Sequence, residues 1–357
     1  MIRQSIVIVS RTEGEGHGAE IVLNNLLINY HEKDNLTVIT AAKSSVHNTC
    51  IANNIEVFPL KFVADSIVPN LLTIEKVLKK LKGKQIVHAW HSKSFEIGWY
   101  ISVRNNIPLS CTMHDHPCSE YYTKRKLWLL KTIANKSSGV VSVSDALKNE
   151  CLKNGYKKEI TFIHNGLPDV QQNYIRPIKT KLNIGFLGMY SFLKGFNILY
   201  DWIIRYNEDN TVHWNLYGDI CEENIYFIEQ LKGVSNFTLH GHKTSDKIFE
   251  KVDIVVNTST QFDSFPTVLL EAARAGVAAV ANTNGGAKEI VSHNVSGFIY
   301  DASSPETGFE YLKKLTSDPE LLKKFSHNAR KHFEDCFKIE RMVSSYQSFW
   351  ERLNFRR

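Results

Sequence analysis

Two carboxylates flank the predicted start of a helix in the second half of the chain. Asp263 and Glu271 are eight residues apart, and Phe265-Pro266 between them opens a run of helix-forming residues through Ala275. Proline is favoured in the first helical turn, whose free backbone N–H groups can bind anions such as phosphate. Carboxylates on either side of such a helix start are suited to accept hydrogen bonds from hydroxyl groups. The segment therefore indicates a ligand that has both phosphate and hydroxyl groups.

A lysine and a histidine elsewhere follow predicted strands. Lys194 comes after an apolar run and the turn residues Gly188 and Met189. A glycine turn lets a diphosphate approach closely, and an ammonium group can neutralise charge on such a leaving group. His114 directly follows another apolar run and precedes Asp115, which predicts a turn at the end of a strand. Both residues are candidates for the chemistry.

The amino-terminal region contains a glycine loop between a predicted strand and a predicted helix. Gly14, Gly16 and Gly18 form this loop. Such a layout lets backbone N–H groups approach a phosphate, but it equally suits a tight connection. The spacing differs from the G-x-G-x-x-G pattern of dinucleotide-binding domains, which argues against NAD.

His88 lies inside another predicted strand of the first half of the chain. At such a position a core histidine with satisfied hydrogen bonds is favoured over a ligand-binding one.

These residues need a scaffold of parallel strands. Short runs rich in Ile and Val alternate with longer amphipathic segments, the pattern of parallel sheets covered by helices. Two such series predict an α/β protein with two doubly wound, Rossmann-like domains facing a ligand crevice, because these sheets bind ligands at the carboxyl ends of their strands. Strands are predicted at residues 6–10, 36–40, 55–59, 85–90, 109–113, 139–143 and 160–163 in the first series and at 182–187, 212–217, 236–240, 253–256 and 277–281 in the second.

A polar, proline-containing stretch after Gly166 breaks the pattern and predicts the domain boundary. The predicted organisation is a first domain at 1–168, a linker at 169–180, a second domain at 181–335 and a final helix at 336–357. Apolar residues in that last segment have helical spacing.

Composition limits the class of protein. The chain has 357 residues, of which 43% are hydrophobic and 22% charged, as in globular proteins. A net charge of +6 is too small and too dispersed to indicate nucleic-acid binding. No apolar stretch has the length of about 20 residues that a membrane span needs, and the first residues lack a signal-peptide pattern, so we expect a cytoplasmic protein.

Several segments together resemble one enzyme family. Asp263 and Glu271 resemble the E-x7-E signature of family-4 retaining glycosyltransferases of the GT-B fold, with the first acid shortened to aspartate. Further matching segments are Gly18-Ala19-Glu20, Thr112-Met113-His114-Asp115, Gly188 to Gly195, His240-Gly241 and Gly285 to Val291. Met189 departs from the family pattern, because an arginine is expected at this position.

The resemblance implies a role for each candidate residue. Glu271 is expected to hold the ribose hydroxyls and Asp263 the donor sugar, while Lys194 stabilises the departing diphosphate and His114 contacts the sugar. Further donor-binding positions are expected at Phe265, Pro266, Thr267, Val268, Gly18, Met189 and Gly241. The first domain would be the acceptor side, the second would bind the nucleotide-sugar, and the final helix would pack back on the first domain.

The function implied is that of a retaining hexosyl- or N-acetylhexosaminyltransferase with a nucleotide-diphosphate sugar donor, of which a UDP-sugar is the first expectation. No D-x-D motif is present to hold a divalent ion, so neither a metal nor another cofactor is expected. Two alternatives stay open, namely a nucleotide-sugar epimerase of the same fold and a non-catalytic subunit that binds nucleotide-sugars. The departures at Met189 and Asp263 keep the second of these alternatives in view.

The sequence gives less information about the acceptor than about the donor. The segment Tyr121 to Lys131 mixes cations with aromatic residues on a predicted helix, which suits anionic lipid headgroups but also an ordinary helix with one core face. If it binds lipid, the acceptor would be a glycan or lipid-linked glycan in cell-surface polysaccharide assembly, and the protein would lie at the inner face of the membrane. Small soluble acceptors stay open as well.

Overall fold

A computed structural model describes residues 5–11, 18–62, 71–81, 83–170, 181–206, 211–243 and 245–354. The chain divides into two compact units. Unit 1 consists of Met1–Pro168 and Ile339–Arg357, and unit 2 of Asp169–Lys338. The final helix thus belongs to unit 1 from residue 339, three residues later than the predicted boundary. Most of the predicted linker, residues 171–180, lies outside the described residues.

Unit 1 is built on a parallel sheet whose described strands follow the order β3-β2-β1-β4-β5-β6-β7. These strands are β1 Ile6–Ser10, β2 Leu36–Ala41, β3 Glu56–Leu60, β4 Ile86–Ala89, β5 Leu109–Met113, β6 Gly139–Ser142 and β7 Ile160–Phe162. Five of these strands are buried along their whole length, namely β1, β2, β4, β5 and β6. This is expected for parallel strands covered on both faces. The sequence prediction of these strands is confirmed to within one residue at each end.

Helices cover the sheet of unit 1. Their bounds are α1 Gly18–Asn29, α2 Ser45–Ala52, α3 Leu71–Leu78, α4 Phe95–Asn105, α5 Lys124–Lys136, α6 Asp145–Lys153 and, from the end of the chain, α14 Ile339–Asn354. The prediction of one continuous helix from Tyr121 was wrong in its start. Thr123 caps α5 by accepting a hydrogen bond from Lys126 N, so Tyr121 and Tyr122 precede the helix.

The last helix is fixed to the sheet by a buried hydrogen-bond network around His88. Trp350 Nε1 donates to His88 Nδ1 at 3.2 Å, and His88 Nε2 lies 2.9 Å from Thr112 Oγ1. An indole N–H can only donate, so Nδ1 is an acceptor and the proton of the neutral imidazole is on Nε2. Thr112 Oγ1 also lies 3.2 Å from Tyr346 Oη. His88 is therefore the satisfied core histidine favoured by the sequence, and its side chain does not reach the sheet edge.

Unit 2 contains a second parallel sheet with the order β10-β9-β8-β11-β12-β13 among its described strands. These are β8 Leu182–Leu187, β9 Val212–Tyr217, β10 Phe237–Leu239, β11 Ile254–Asn257, β12 Ala278–Asn282 and β13 Gly297–Tyr300. The helices are α7 Phe196–Arg205, α8 Ile225–Leu231, α9 Ser245–Ile248, α10 Thr267–Arg274, α11 Ala287–Ile290, α12 Pro305–Ser317 and α13 Pro319–Cys336. The topology places the loops after β8, β11 and β12 side by side at the carboxyl edge of the sheet. Lys194 and Asp263 lie on the first two of these loops.

Among the described residues, no helix has both the length and the apolar character required to cross a bilayer.

Candidate functional site

Lys194 is held by a short turn between β8 and α7. The turn is a 3-10 helix at Phe192–Lys194, and Ser191 caps it by accepting a hydrogen bond from Lys194 N. Thr258 Oγ1, on the loop after β11, donates to the carbonyl oxygen of Lys194 at 3.0 Å. The next residue, Gly195, has φ +69°, and a Cβ there would lie 1.9 Å from Thr258 O. The backbone of Lys194 is therefore fixed against the loop that leads to Asp263.

Asp263 is fixed by the loop after β12. Its N–H donates to Asn284 O at 3.2 Å, and its carbonyl oxygen accepts from Gly286 N at 2.9 Å. Gly285 has φ +95°, and a Cβ at this residue would lie 1.9 Å from the carbonyl oxygen of Asp263. Only glycine allows so close an approach of the two backbones. The glycine pair singled out in the sequence thus positions the carboxylate in front of α10.

The two side chains form an ion pair. Lys194 Nζ lies 3.2 Å from Asp263 Oδ2, and the side chains are 40% and 24% exposed, respectively. The geometry thus brings together two residues that are 69 positions apart in the chain. An exposed ammonium group beside a carboxylate can interact with a phosphate and with a sugar hydroxyl at neighbouring positions.

Helix α10 starts next to this pair. The prediction that Pro266 lies in the first turn was wrong by one position, because Pro266 is the N-cap with ψ 107° and Thr267 is the first helical residue. Thr267 and Val268 are partly exposed, and their backbone N–H groups have no partner within the helix. The side chain of Phe265 is buried and packs against the ring of Phe337, with the two ring centroids 5.8 Å apart. Only the backbone of Phe265 is therefore suited to ligand binding.

Glu271 lies in the second turn of α10 and is partly buried. It is separated from Asp263 by the start of the helix, as the sequence predicted. A phosphate at the helix start would therefore have a carboxylate on either side of it.

A flat aromatic surface lies at the carboxyl end of β9, the strand next to β8 in the sheet. The rings of Tyr217 and His240 stack with centroids 4.5 Å apart and planes at 10°. His240 Nε2 lies 2.9 Å from Asn215 Oδ1, and Gly241, with φ +64°, accepts a hydrogen bond from Gly218 N through its carbonyl oxygen. This turn has exposed backbone groups next to an aromatic stack, which is an arrangement suited to a planar base. Met189 is 56% exposed and brings no charge to the site.

In unit 1, His114 lies at the end of β5 beside the ring of Trp90, with centroids 5.3 Å apart. Its ring donates a hydrogen bond to the backbone of Trp90, while Nε2 is buried and has no hydrogen-bond partner among the described residues. Burial lowers the pKa of His114 to about 4. The imidazole is therefore neutral at pH 7, and Nε2 is its acceptor nitrogen.

The start of α1 lies on the other side of Trp90, whose Nε1 donates to Ala19 O at 2.8 Å. Gly18 is the first residue of this helix and is partly buried. Gly14 and Gly16 lie outside the described residues. Glu20 is 1% exposed, and neither of its carboxylate oxygens has a hydrogen-bond partner in the part of the chain that the structure describes.

Two family models match the chain in succession. The model described as Glycosyltransferase Family 4 matches residues 16–170, and the model described as Glycosyl transferases group 1 matches residues 175–332. The chain belongs to the family-4, group 1 glycosyltransferases. Its two Rossmann-like units are those of the GT-B fold, so the predicted fold class and family resemblance are confirmed.

Known relatives are similar over most of the chain. An uncharacterised glycosyltransferase of Methanocaldococcus jannaschii is 24% identical over 82% of this chain and 83% of that protein. An O-antigen chain mannosyltransferase of Escherichia coli is 24% identical over 64% of this chain and 63% of that protein. The Anabaena protein HepE in complex with UDP has the same fold, with a TM-score of 0.84 at 20% identity over 98% of this chain and 100% of that one. A second HepE structure contains UDP-glucose and has a TM-score of 0.82.

The structure also shows contributors to the candidate site that the sequence did not reveal. Thr258 and Asn284 hold the backbones of Lys194 and Asp263, but each is a common loop residue with no distinctive spacing. Trp90 joins α1 to the ring of His114, and only its place as the last residue of a predicted strand could have suggested this. Tyr217 lies beside the predicted turn at Gly241, but its stacking partner His240 follows a different strand, β10. Such cross-strand contacts depend on the order of strands in the sheet.

Among the described residues, no group of three or more His, Cys, Asp or Glu side chains is arranged to hold a metal ion.

Acidification is expected to destabilise unit 1 through its buried histidines. Burial lowers the pKa of His88 and His91 to about 3 and that of His114 to about 4. An unfolded histidine has a pKa of about 6.5, so below this pH the unfolded chain binds protons that the native protein does not. Stability is therefore lost as the pH falls from 6.5, by about 1 kcal/mol per buried histidine at pH 5.5. Urea unfolding between pH 7 and 5.5 measures this loss.

His114→Gln removes one of these groups and should reduce the pH dependence by close to one proton. An equal slope in the His114 variant and the native protein would contradict a neutral, buried imidazole at this position.

Gly285→Ala is expected to disrupt the site. The added methyl group would overlap the carbonyl oxygen of Asp263, and the left-handed backbone would be strained, together costing about 1–3 kcal/mol or more. Thermal unfolding measures the effect on the free energy of unfolding. Gly233→Ala is the matched control, because its Cβ would have Gln230 O at 3.9 Å as its nearest neighbour. Native stability in the Gly285 variant would contradict this packing of the two loops.

Proposed function

We propose that this protein is a retaining glycosyltransferase that moves a hexosyl or N-acetylhexosaminyl group from a UDP-sugar to a hydroxyl acceptor. The observation that carries the proposal is the pairing of Lys194 with Asp263 directly in front of the free start of α10, with Glu271 in the next turn. The same fold in HepE is found with UDP and with UDP-glucose, which supports a uridine nucleotide.

Each part of the donor has a candidate partner in unit 2. The uracil would stack near the Tyr217–His240 pair and the ribose hydroxyls would donate to Glu271. The diphosphate would accept hydrogen bonds from Thr267 N, Val268 N and Lys194 Nζ. A sugar hydroxyl would donate to Asp263, whose carboxylate is one methylene shorter than glutamate. This difference in reach gives Asp263 an influence on which sugar fits.

The reaction we propose proceeds on one face of the sugar. The bond between the anomeric carbon and the diphosphate oxygen breaks, and the acceptor oxygen forms a new bond to the same face of that carbon. The acceptor proton passes to an oxygen of the departing phosphate, and UDP is released. Lys194 stabilises the negative charge that grows on the diphosphate, which is the kind of preorganised electrostatic contribution that dominates many enzymes.

We propose that no metal ion or other cofactor takes part. Lys194 and the start of α10 together supply positive potential where the diphosphate would lie, which is the role that a divalent ion has in other sugar transferases. The absence of an arginine at Met189 leaves Lys194 with a larger share of this task.

For the acceptor, we propose a glycan or lipid-linked glycan of the cell surface. One relative is an O-antigen chain mannosyltransferase, which supports this class of acceptor. A surface of unit 1 supports a position at the inner face of the membrane. Trp128 is 63% exposed on α5, and the cations Lys124 and Arg125 are exposed one turn earlier on the same side of the helix. Tyr121, just before the helix, is 77% exposed.

Lys194→Ala is expected to weaken UDP binding and to abolish sugar transfer while the protein stays folded. The variant removes the side-chain cation placed for the departing diphosphate, and charge stabilisation of this kind accounts for roughly 10²- to 10³-fold in rate. Calorimetric titration with UDP, a screen of UDP-sugars without metal, and UDP release in the presence of glycan acceptors measure binding and turnover.

Lys232→Ala is the control, because this lysine is exposed and paired with Glu229 at the opposite edge of the same sheet. Near-native turnover in the Lys194 variant would contradict the assignment as a transferase. Conversion of a UDP-sugar without acceptor would favour the epimerase, and binding without any turnover would favour a non-catalytic subunit.

Binding of anionic vesicles is expected to depend on α5. Vesicles of phosphatidylglycerol should sediment the protein, whereas pure phosphatidylcholine should not. Lys124→Ala should weaken this binding about five-fold, as expected for one cation near a charged surface. Trp128→Ala should weaken it as well, whereas Tyr226→Ala, which removes a 68% exposed aromatic side chain of unit 2, should not. Equal sedimentation of all variants would exclude this surface as the membrane contact.

A further inference from the structure

The ion pair between Lys194 and Asp263 has a consequence for ligand selection. Lys194 Nζ lies 3.2 Å from Asp263 Oδ2, and the two side chains are only partly exposed. The same ammonium group is the cation that the proposed function assigns to the diphosphate. A nucleotide that binds there therefore meets a lysine whose charge is already opposed by a neighbouring carboxylate.

Both ends of this pair are fixed through the backbone. Lys194 is held by Ser191 and Thr258, and Asp263 is held between Asn284 and Gly286. The loops thus fix the two backbones relative to each other, and Asp263 has few rotatable bonds with which to move away. The pair is therefore a built feature of the site and differs from pairs formed by two long side chains on an open surface.

A diphosphate and Asp263 would compete for the positive charge of Lys194. A partly exposed ion pair contributes little free energy, about 0.2–1 kcal/mol, so a diphosphate with its larger charge can replace or share the carboxylate. If Lys194 shares its three N–H donors between both groups, the carboxylate still repels the phosphate. In either arrangement, the charge of Asp263 lowers the affinity for a nucleoside diphosphate.

A sugar on the diphosphate changes this balance. Its hydroxyl groups can donate hydrogen bonds to the carboxylate, and hydrogen bonds to a charged acceptor are stronger than those between neutral groups. Asp263 then has a partner in the ligand and no longer depends on Lys194. After transfer, UDP has no sugar to occupy Asp263.

We infer that Asp263 is a selectivity residue that holds Lys194 and favours the intact UDP-sugar over the product UDP. This inference rests on the proposed function, because it assigns the diphosphate to Lys194. It gives Asp263 two effects that a simple sugar contact would not have. The carboxylate positions the lysine when no sugar is present, and it weakens the hold of the site on UDP once the sugar has been transferred.

The test is a double-mutant cycle read by calorimetric titration with UDP at low ionic strength, where charges are least screened. Asp263→Asn keeps the shape of the side chain and removes its charge. We expect it to raise the affinity for UDP about two- to five-fold, which corresponds to the free energy of a partly exposed pair. In the Lys194→Ala background the same substitution should have a clearly smaller effect, because the shared cation is absent.

Asp219→Asn is the control for a change in net charge, since Asp219 is an exposed carboxylate on the neighbouring loop after β9. It should change UDP affinity less than Asp263→Asn does. Thermal unfolding of every variant shows whether it is folded. A UDP affinity in Asp263→Asn that is unchanged or lower would overturn the inference, as would an equal gain in the Lys194→Ala background. UDP binding that is insensitive to Lys194→Ala alone would instead refute the proposed function.

Selectivity is measured in the same variants with the UDP-sugar that binds the native protein most tightly. Asp263→Asn should bind this UDP-sugar no better than the native protein, so the preference for UDP-sugar over UDP should fall at least two-fold. An equal gain in affinity for UDP and for the UDP-sugar would show that Asp263 acts only through net charge, and would contradict its selective role.

Discussion

The carbonyl oxygen of Asp263 lies so close to residue 285 that a side chain there would overlap it, and the rest of the candidate site depends on this contact. It fixes the loop after β11 against the loop after β12. The same β11 loop holds the backbone of Lys194 through Thr258. Three segments that are far apart in the chain therefore pack against one another at the carboxyl edge of the sheet. This backbone packing brings Asp263 within reach of the Lys194 side chain, and the two charges then pair at 3.2 Å. The free energy of such a pair is small for partly exposed groups.

Unit 1 uses burial where unit 2 uses charge pairing. His88, His91 and His114 are neutral because their surroundings exclude water, and the hydrogen bond from Trp350 leaves no place for a second proton on His88. Neutral imidazoles can accept hydrogen bonds from hydroxyl groups without attracting a competing anion. The last helix is part of this arrangement, because Trp350 and Tyr346 complete the surroundings of His88. The last helix, α14, thus influences the protonation of His88.

The strands and the local site motifs could be predicted from the sequence because both depend on neighbouring residues. Alternation of apolar runs located each predicted strand to within one residue, and the family resemblance located Lys194 and Asp263. Their contact could not be predicted, because it depends on the order of β8, β11 and β12 in the sheet and on glycine packing between loops. Helix starts were also less certain. Pro266 and Thr123 are caps and not helical residues, since capping is decided by backbone angles that composition does not reveal.

The two departures from the family pattern, Met189 and Asp263, acquire a common meaning from this geometry. With an uncharged, exposed methionine at one position, Lys194 is the side-chain cation that the candidate site places beside the start of α10. A site with one cation binds a diphosphate less tightly than a site with two, and pairing that cation with a carboxylate weakens the attraction further. Weak retention of UDP is no disadvantage for an enzyme whose turnover requires product release. The intact donor would also bind less tightly through its diphosphate, so it must gain affinity from its sugar hydroxyls and its base. Such a site would discriminate among sugars through Asp263 more strongly than a site dominated by its hold on the diphosphate.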